Sequence, residues 1–277
     1  MGRTIWIYSK GCFSTKQVME SFFGQSTDLE LLFEIEDKSV DLVLTDPPYI
    51  ISRESGMQTH SQRKPGDEGY NQVSKRIENG KEIEVDYGRS FAVSTDYGDW
   101  DKNYTVEDLE KVIEEFYRIL RPGGSCIIFF DIWKIQTLFE LLNKFSKHRL
   151  IVWVKTNPVP VNQKATYLSN SKEIAVSCVK GGKATFNSKY DNGMYEFPIY
   201  SGKDRFHPTQ KSLPLFETLI EKHSNVGDII VDPYGGSATT YVAAKRLDRI
   251  CISSEPSLEY YKKAKARIKS IPNTVFP

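Results

Sequence analysis

Two apolar runs of this chain stop abruptly at an aspartate, and that constrains the fold more than any other feature. Val40 to Thr45 leads into Asp46-Pro47-Pro48-Tyr49. Ile229-Ile230-Val231 leads into Asp232-Pro233-Tyr234-Gly235-Gly236-Ser237-Ala238-Thr239. Short, β-branched apolar runs read as strands buried on both faces, the signature of a parallel sheet. In open α/β sheets, ligands bind just beyond the carboxyl ends of the strands. Both motifs therefore fall where such a fold builds its site.

The rest of the chain alternates in the same way. Thr105 to Asp108 resembles a capping box, and Val106 to Leu120 has helical periodicity, stopped by Pro122-Gly123-Gly124. Residues 126–130, 150–154, 174–179 and 249–253 read as strands. Trp133 to Phe145, Leu213 to His223, Thr239 to Leu247 and Tyr260 to Ile268 read as helices. At the N-terminus, Ile5 to Tyr8 suggests a strand and Ser14 to Phe23 a short helix. Alternation of this kind predicts an α/β fold, a mainly parallel sheet with helices on both faces. Residues 50–99 are polar and mixed in charge with little periodicity, and are expected to be a flexible insertion in a single domain spanning 1–277.

Composition excludes several classes. The chain has 277 residues, 39% hydrophobic and 26% charged, with a net charge of +1. That length suits one large α/β domain with insertions or two small domains, and the charge balance excludes a polycation. No apolar run is long enough to span a bilayer, and the N-terminus lacks the layout of a signal peptide. Cys12, Cys126, Cys178 and Cys251 are scattered, three of them in strand-like runs, so buried free thiols in a reducing cytoplasm are expected. His60, His148, His207 and His223 show no metal-ligand spacing, and no metal is expected. From Val154 to Lys211 there are nine basic and four acidic residues, an excess of five. That excess suits a phosphate-contacting face or a solvated lysine-rich surface.

The two motifs carry the chemistry. Asp232 ends a strand, a glycine turn follows, and a helix opens near Thr239; the helix N-terminus favours polar or anionic groups. Glu255 ends the next strand, where an acidic side chain can hold ribose hydroxyls. A glycine turn at such a place is also a common packing joint. In the first motif, two prolines fix φ and remove two N–H donors. The Asp46 carboxylate and the carbonyls of Asp46 and Pro47 are then acceptors for an exocyclic amine, and Tyr49 offers a stacking face worth about 1–3 kcal/mol to a base. The alternative is a rigid turn with a surface tyrosine.

Asp46-Pro47-Pro48-Tyr49 resembles the catalytic motif of the amino-methyltransferases that modify adenine N6 or cytosine N4 in DNA. Asp232 to Thr240 resembles their S-adenosylmethionine motif, and His207-Pro208-Thr209-Gln210-Lys211 resembles a third motif that opens the preceding helix. The catalytic motif comes first and the cofactor motif last, the permuted order of the β group. The resemblance covers residues 40–49, 100–180 and 207–269. It implies a Rossmann-like methyltransferase sheet with inserted DNA-recognition loops, residues 155–206 being the recognition region. It implies that Asp46, Pro47, Pro48 and Tyr49 hold the target base. Asp232, Pro233, Tyr234, Gly235, Gly236, Ser237, Thr239 and Glu255, with His207, Thr209 and Lys211, would surround the cofactor. Two departures stand out: Ala238 replaces a glycine, straining any positive φ there, and Tyr234 replaces phenylalanine, bringing a hydroxyl that needs a partner.

The function this implies is methyl transfer to adenine N6 in double-stranded DNA after the base flips out. Cytosine N4 is the nearest rival, and Asp rather than Ser at position 46 leans toward adenine. A non-catalytic DNA-binding relative is the alternative of a different class, against which the intact Asp46, Tyr49 and Asp232 speak. A homodimer and a cognate restriction endonuclease remain open as partners; no membrane is expected.

Overall fold

The computed structural model describes residues 21–48, 74–78, 81–85, 104–159, 167–168 and 170–271. The chain divides into two compact units, residues 49–103 and the remainder. Within the larger unit one sheet of eight strands is built from β1 (Phe22–Gly24), β2 (Val40–Thr45), β5 (Leu120–Phe130), β6 (Ser146–Lys155), β7 (Lys172–Val179), β8 (Met194–Phe197), β9 (Ile229–Asp232) and β10 (Ile250–Ser254). Their order is β1-β10-β9-β2-β5-β7-β6-β8. The first five run parallel, and β7 is antiparallel to both β5 and β6. The sheet is thus α/β and mainly parallel, as the alternation predicts.

The helices are α1 (Asp28–Phe33), α2 (Val106–Ile119), α3 (Ile135–Leu141), α4 (Leu213–His223), α5 (Thr239–Arg246) and α6 (Leu258–Lys269). From β9 the chain crosses through α5 to β10, away from β2. From β2 it reaches β5 on the opposite side, with α2 immediately before β5. Right-handed crossovers in opposite directions place α5 and α2 on opposite faces. β2 and β9 are neighbours, with Leu42 beside Ile230 and Val43 beside Val231. The sheet reverses its winding between them, so the crevice above β2 and β9 is a topological switch point.

Local chemistry explains the element ends. The Thr105 hydroxyl accepts from the Asp108 amide at 3.2 Å and the Asp108 carboxylate accepts from the Thr105 amide at 3.2 Å, the capping box expected. Leu42, Val43 and Leu44, Ile127 and Phe129, Leu215 and Leu219, and Ile230 are wholly or almost wholly buried around the central strands. Cys126, Cys178 and Cys251 are free and buried. Among the described residues no helix is long and apolar enough to cross a membrane.

Several expectations need correction. Phe22 and Phe23 belong to an edge strand, not to the end of a helix: Phe22 pairs with Ile252 and Phe23 with Ser253, and this non-local pairing overrides the local signal. Pro122-Gly123-Gly124 does not separate helix from strand, because α2 ends at Ile119 and β5 begins at Leu120. Gly123 has φ +83 there and bonds the Lys180 carbonyl at 2.9 Å. The helix expected from Trp133 to Phe145 is a 3-10 turn over Ile132–Lys134 followed by α3, and it ends at Leu141. β8, a partly exposed edge strand, was not anticipated. In the smaller unit, β3 (Ser74–Glu78) and β4 (Lys81–Val85) pair antiparallel with Glu78 opposite Lys81. Asn79-Gly80 between them is a two-residue hairpin signal inside a stretch that otherwise looks aperiodic. The early strand over 5–8, the helix over 14–20, Cys12, His60 and Tyr49 lie outside the described residues.

Candidate active site

Asp232 closes β9 and is almost fully buried. Its Oδ1 accepts from the Thr45 hydroxyl at 2.7 Å and the Tyr234 amide at 3.1 Å; its Oδ2 accepts from the Thr240 hydroxyl at 2.5 Å. Thr45 is the last residue of β2, so one hydrogen bond ties the two strand ends together. Burial raises the Asp232 carboxyl from 3.8 to about 6, against the pull of those three bonds and with a further push from the Asp46 charge. Asp232 and Asp46 therefore feel one another across the crevice between β9 and β2.

The glycine turn follows. A Cβ on Gly235 would stand 2.6 Å from the Ser253 hydroxyl and 2.8 Å from the Ser254 carbonyl, so only glycine fits. Gly236 has φ +49 and donates its amide to Glu255 Oε2 at 2.9 Å. Glu255 Oε1 accepts from the Ser257 amide at 2.9 Å, which leaves one lone pair on each oxygen for further donors. Burial raises the Glu255 carboxyl above its ordinary range, more than the two amides lower it. Ala238 sits at φ +61 and ψ 34, the left-handed conformation that the sequence predicts to be strained. Ser237 contacts the Thr239 hydroxyl at 3.0 Å, and Arg267 clamps the turn from α6 through the Ser237 carbonyl at 2.7 Å. The Pro233 carbonyl accepts from the Ser254 hydroxyl at 3.3 Å. The extra hydroxyl of Tyr234 finds two partners: Asp28 at the start of α1, and Tyr104 at 2.6 Å.

The third motif packs between the other two. The His207 ring lies 4.4 Å from the Tyr260 ring, with its Nε2 3.4 Å from where a Gly236 Cβ would be. Its Nδ1 accepts from the Thr209 amide at 3.3 Å, which assigns the proton to Nε2. Burial, then the Lys211 and Arg205 charges, push the His207 ring down to about 4, so it is neutral. Lys211, expected close to the cofactor turn, has its Nζ 3.0 Å from Asp46 Oδ2 and 2.7 Å from Glu173 Oε2. Pro47 and Pro48 are buried, and Asp46 is partly buried.

The structure thus gathers Asp46, Pro47, Pro48, His207, Thr209, Lys211, Asp232 to Ser237, Thr239 and Glu255 around one strand-end crevice. Sequence reasoning did not assign Thr45, Tyr104, Lys155 or Glu173 to the site, because each meets its partner there from a separate segment of the chain. Three buried polar atoms beside these motifs, Gln210 Oε1, Ser212 Oγ and Ser253 Oγ, have no hydrogen-bond partner among the described residues. Native interiors rarely leave such groups unpaired, so they fit a polar ligand. Two buried carboxylates, a glycine turn and the start of α5 suit a small molecule with a cationic end and sugar hydroxyls, as S-adenosylmethionine has. Among the described residues no group of acidic, histidine or cysteine side chains is placed to hold a metal.

Comparison with known proteins agrees with this geometry. The DNA methylase family profile matches residues 40–266. The Type II methyltransferase M2.DpnII of Streptococcus pneumoniae is 28% identical over 266 residues, covering 88% of each chain. The Type II methyltransferase M.HinfI of Haemophilus influenzae is 29% identical over 269 residues, covering 88% of this chain and 67% of its own. Among solved structures, the M1.HpyAVI–SAM complex superposes with a TM-score of 0.62 at 27% identity, covering 89% of this chain and 98% of that one. The cytosine-N4-specific PvuII DNA methyltransferase shares the fold, with a TM-score of 0.60 at 18% identity over 93% of this chain and 91% of its own.

Proposed function

Because the chain belongs to the DNA methylase family, whose members transfer a methyl group from S-adenosylmethionine to exocyclic amines of DNA, we propose that its acceptor is the N6 amine of adenine in a flipped-out base. One observation carries this reading. Asp46 and Asp232 close adjacent parallel strands at the switch point, within reach of each other's charge. A target amine at the first and a cofactor at the second would meet in the crevice between them.

When bound, the cofactor would supply an electrophilic methyl on a sulfonium whose neutral thioether is the leaving group. The protein's part is positioning and electrostatics. The Asp46 carboxylate and the Pro47 carbonyl accept the two N–H bonds of the amine, which draws its lone pair out of the ring. The same carboxylate stabilises the positive charge that grows on nitrogen, and the methylated amine then releases one N–H proton to solvent, leaving the neutral methylamine. Tyr49, adjacent in sequence, is assigned the stacking face. Asp232, Gly235 and Ser237 line the methionine end of the cofactor, and Glu255 takes the ribose. Neutral His207, backed by Thr209, closes the wall over Gly236.

Adenine is favoured over cytosine by the acid at position 46. Residues 155–206, with their basic excess, are assigned to recognition of double-stranded DNA; a self-associated form and a cognate endonuclease are partners this reading admits. The test is to methylate DNA with the purified protein and S-adenosylmethionine, digest it and identify the nucleoside. N6-methyladenine supports the proposal. N4-methylcytosine, or methyl transfer only to RNA or protein, overturns it.

A further inference from the structure

Four charged side chains from separate segments form one continuous line at the carboxyl end of the sheet. Lys155, at the end of β6, lies 2.6 Å from Glu173 Oε1. Glu173, at the start of β7, presents Oε2 to Lys211 Nζ at 2.7 Å. Lys211, just before α4, reaches Asp46 Oδ2 at 3.0 Å. The signs alternate and sum to zero. Each cation also stands over an aromatic ring, Lys155 over Trp153 at 5.2 Å and Lys211 over Phe129 at 5.3 Å. Glu173 is fixed from both sides, because β7 lies between β5 and β6 with Trp153 directly opposite Glu173 and Phe130 opposite Ile174.

A pair would suffice to neutralise Asp46. Lys211 alone does that, and a second carboxylate in a mostly buried place costs desolvation. Burial indeed pushes the Glu173 carboxyl upward, but Lys211 and Lys155 together outweigh that and hold it down at about 2, so it is ionised across the working range. The second carboxylate therefore changes how Lys211 meets Asp46. An ammonium shared between two carboxylates leaves more negative charge on each than an ammonium bound to one. An amine acceptor needs such charge, because it must polarise two N–H bonds and stabilise a growing cation.

We propose that Glu173 is a positioning residue for the methyl transfer: by sharing the Lys211 ammonium it lets Lys211 orient Asp46 without cancelling the charge that grips the target amine. The inference rests on the reading of Asp46 given above. Lys155 completes it by keeping Glu173 ionised. Among the described residues, the charged groups around Asp46 include Lys211 directly, Glu173 through Lys211, and Asp232 from β9.

The test is steady-state and single-turnover methylation of DNA by the full chain. Glu173→Gln keeps the shape and removes the charge. It is expected to lower kcat about 10- to 100-fold, with the S-adenosylmethionine Kd changed less than about twofold. Glu173→Asp restores the carboxylate and should recover part of that loss. In a Lys211→Met background Glu173→Gln should cost nothing further, since it acts through Lys211. An unchanged kcat in Glu173→Gln, a loss confined to cofactor affinity, or equal losses with and without Lys211 overturns the proposal. Should Lys211→Met not fold, the Glu173→Gln and Glu173→Asp pair decides: equal kcat in the two, both low, also overturns it. Asp46→Ala separates the two levels. If that variant turns over normally, the reading of Asp46 fails; if it is inactive while Glu173→Gln is fully active, only the present inference fails.

Discussion

Asp232→Asn should stabilise the cofactor-free protein while disabling it. The carboxyl is raised from 3.8 to about 6, chiefly by burial. At pH 8 the folded protein carries this charge against a penalty of about 1.36 kcal/mol per pH unit over about 2.2 units, or about 3 kcal/mol. The sign follows from the direction: a carboxyl raised on folding contributes stability at low pH that is lost as pH climbs through about 6. At pH 5 the same linkage leaves a penalty of only about 1.6 kcal/mol. The amide can keep the bonds. Oδ1 still accepts from Thr45 and the Tyr234 amide, while the new amide group faces Thr240, whose hydroxyl can turn to accept. The variant should therefore gain about 2–3 kcal/mol at pH 8 and about 1.4 kcal/mol less at pH 5. Urea unfolding of both proteins at the two pH values measures this; Glu255, raised chiefly by burial in both, cancels in the difference except for the small part of its shift that the Asp232 charge causes. A gain that is independent of pH, or that grows as pH falls, refutes the argument. Binding of S-adenosylmethionine by the variant should fall at least about tenfold, the loss of one charged hydrogen bond.

Other substitutions probe single features. Ala238→Gly removes left-handed strain of about 1–2 kcal/mol and forfeits about 0.8 kcal/mol of buried methyl, so a net gain of about 0.2–1.2 kcal/mol is expected in urea unfolding. Gly235→Ala sets a Cβ 2.8 Å from the Ser254 carbonyl, which cannot swing away; calorimetry should show cofactor binding lost. Tyr234→Phe strips the partner from Tyr104 and Asp28 and should cost about 1–2 kcal/mol in thermal unfolding.

What the sequence revealed was local. The strand before Asp46, the helix Leu213–His223 and the capping box at Thr105 depend on neighbours a few residues away, and the pattern shows them. The left-handed position of Ala238 and the need of the Tyr234 hydroxyl for a partner were legible because each departs from a known motif. What stayed hidden was non-local. Thr45 and Asp232 are 187 residues apart, and Lys211 and Glu173 are 38 apart. No periodicity foretells either pair. β1 spans three residues and is a strand because β10 pairs with it. Asn79-Gly80 is the exception, a local signal outweighed by its polar surroundings.

The account stands on the Asp46 carboxylate holding the acceptor amine. The most direct measurement is single-turnover transfer of labelled methyl to DNA by Asp46→Ala, with S-adenosylmethionine affinity determined on the same preparation. The account predicts near-native cofactor binding and no methyl in the DNA. Transfer at the rate of the unaltered protein would contradict it.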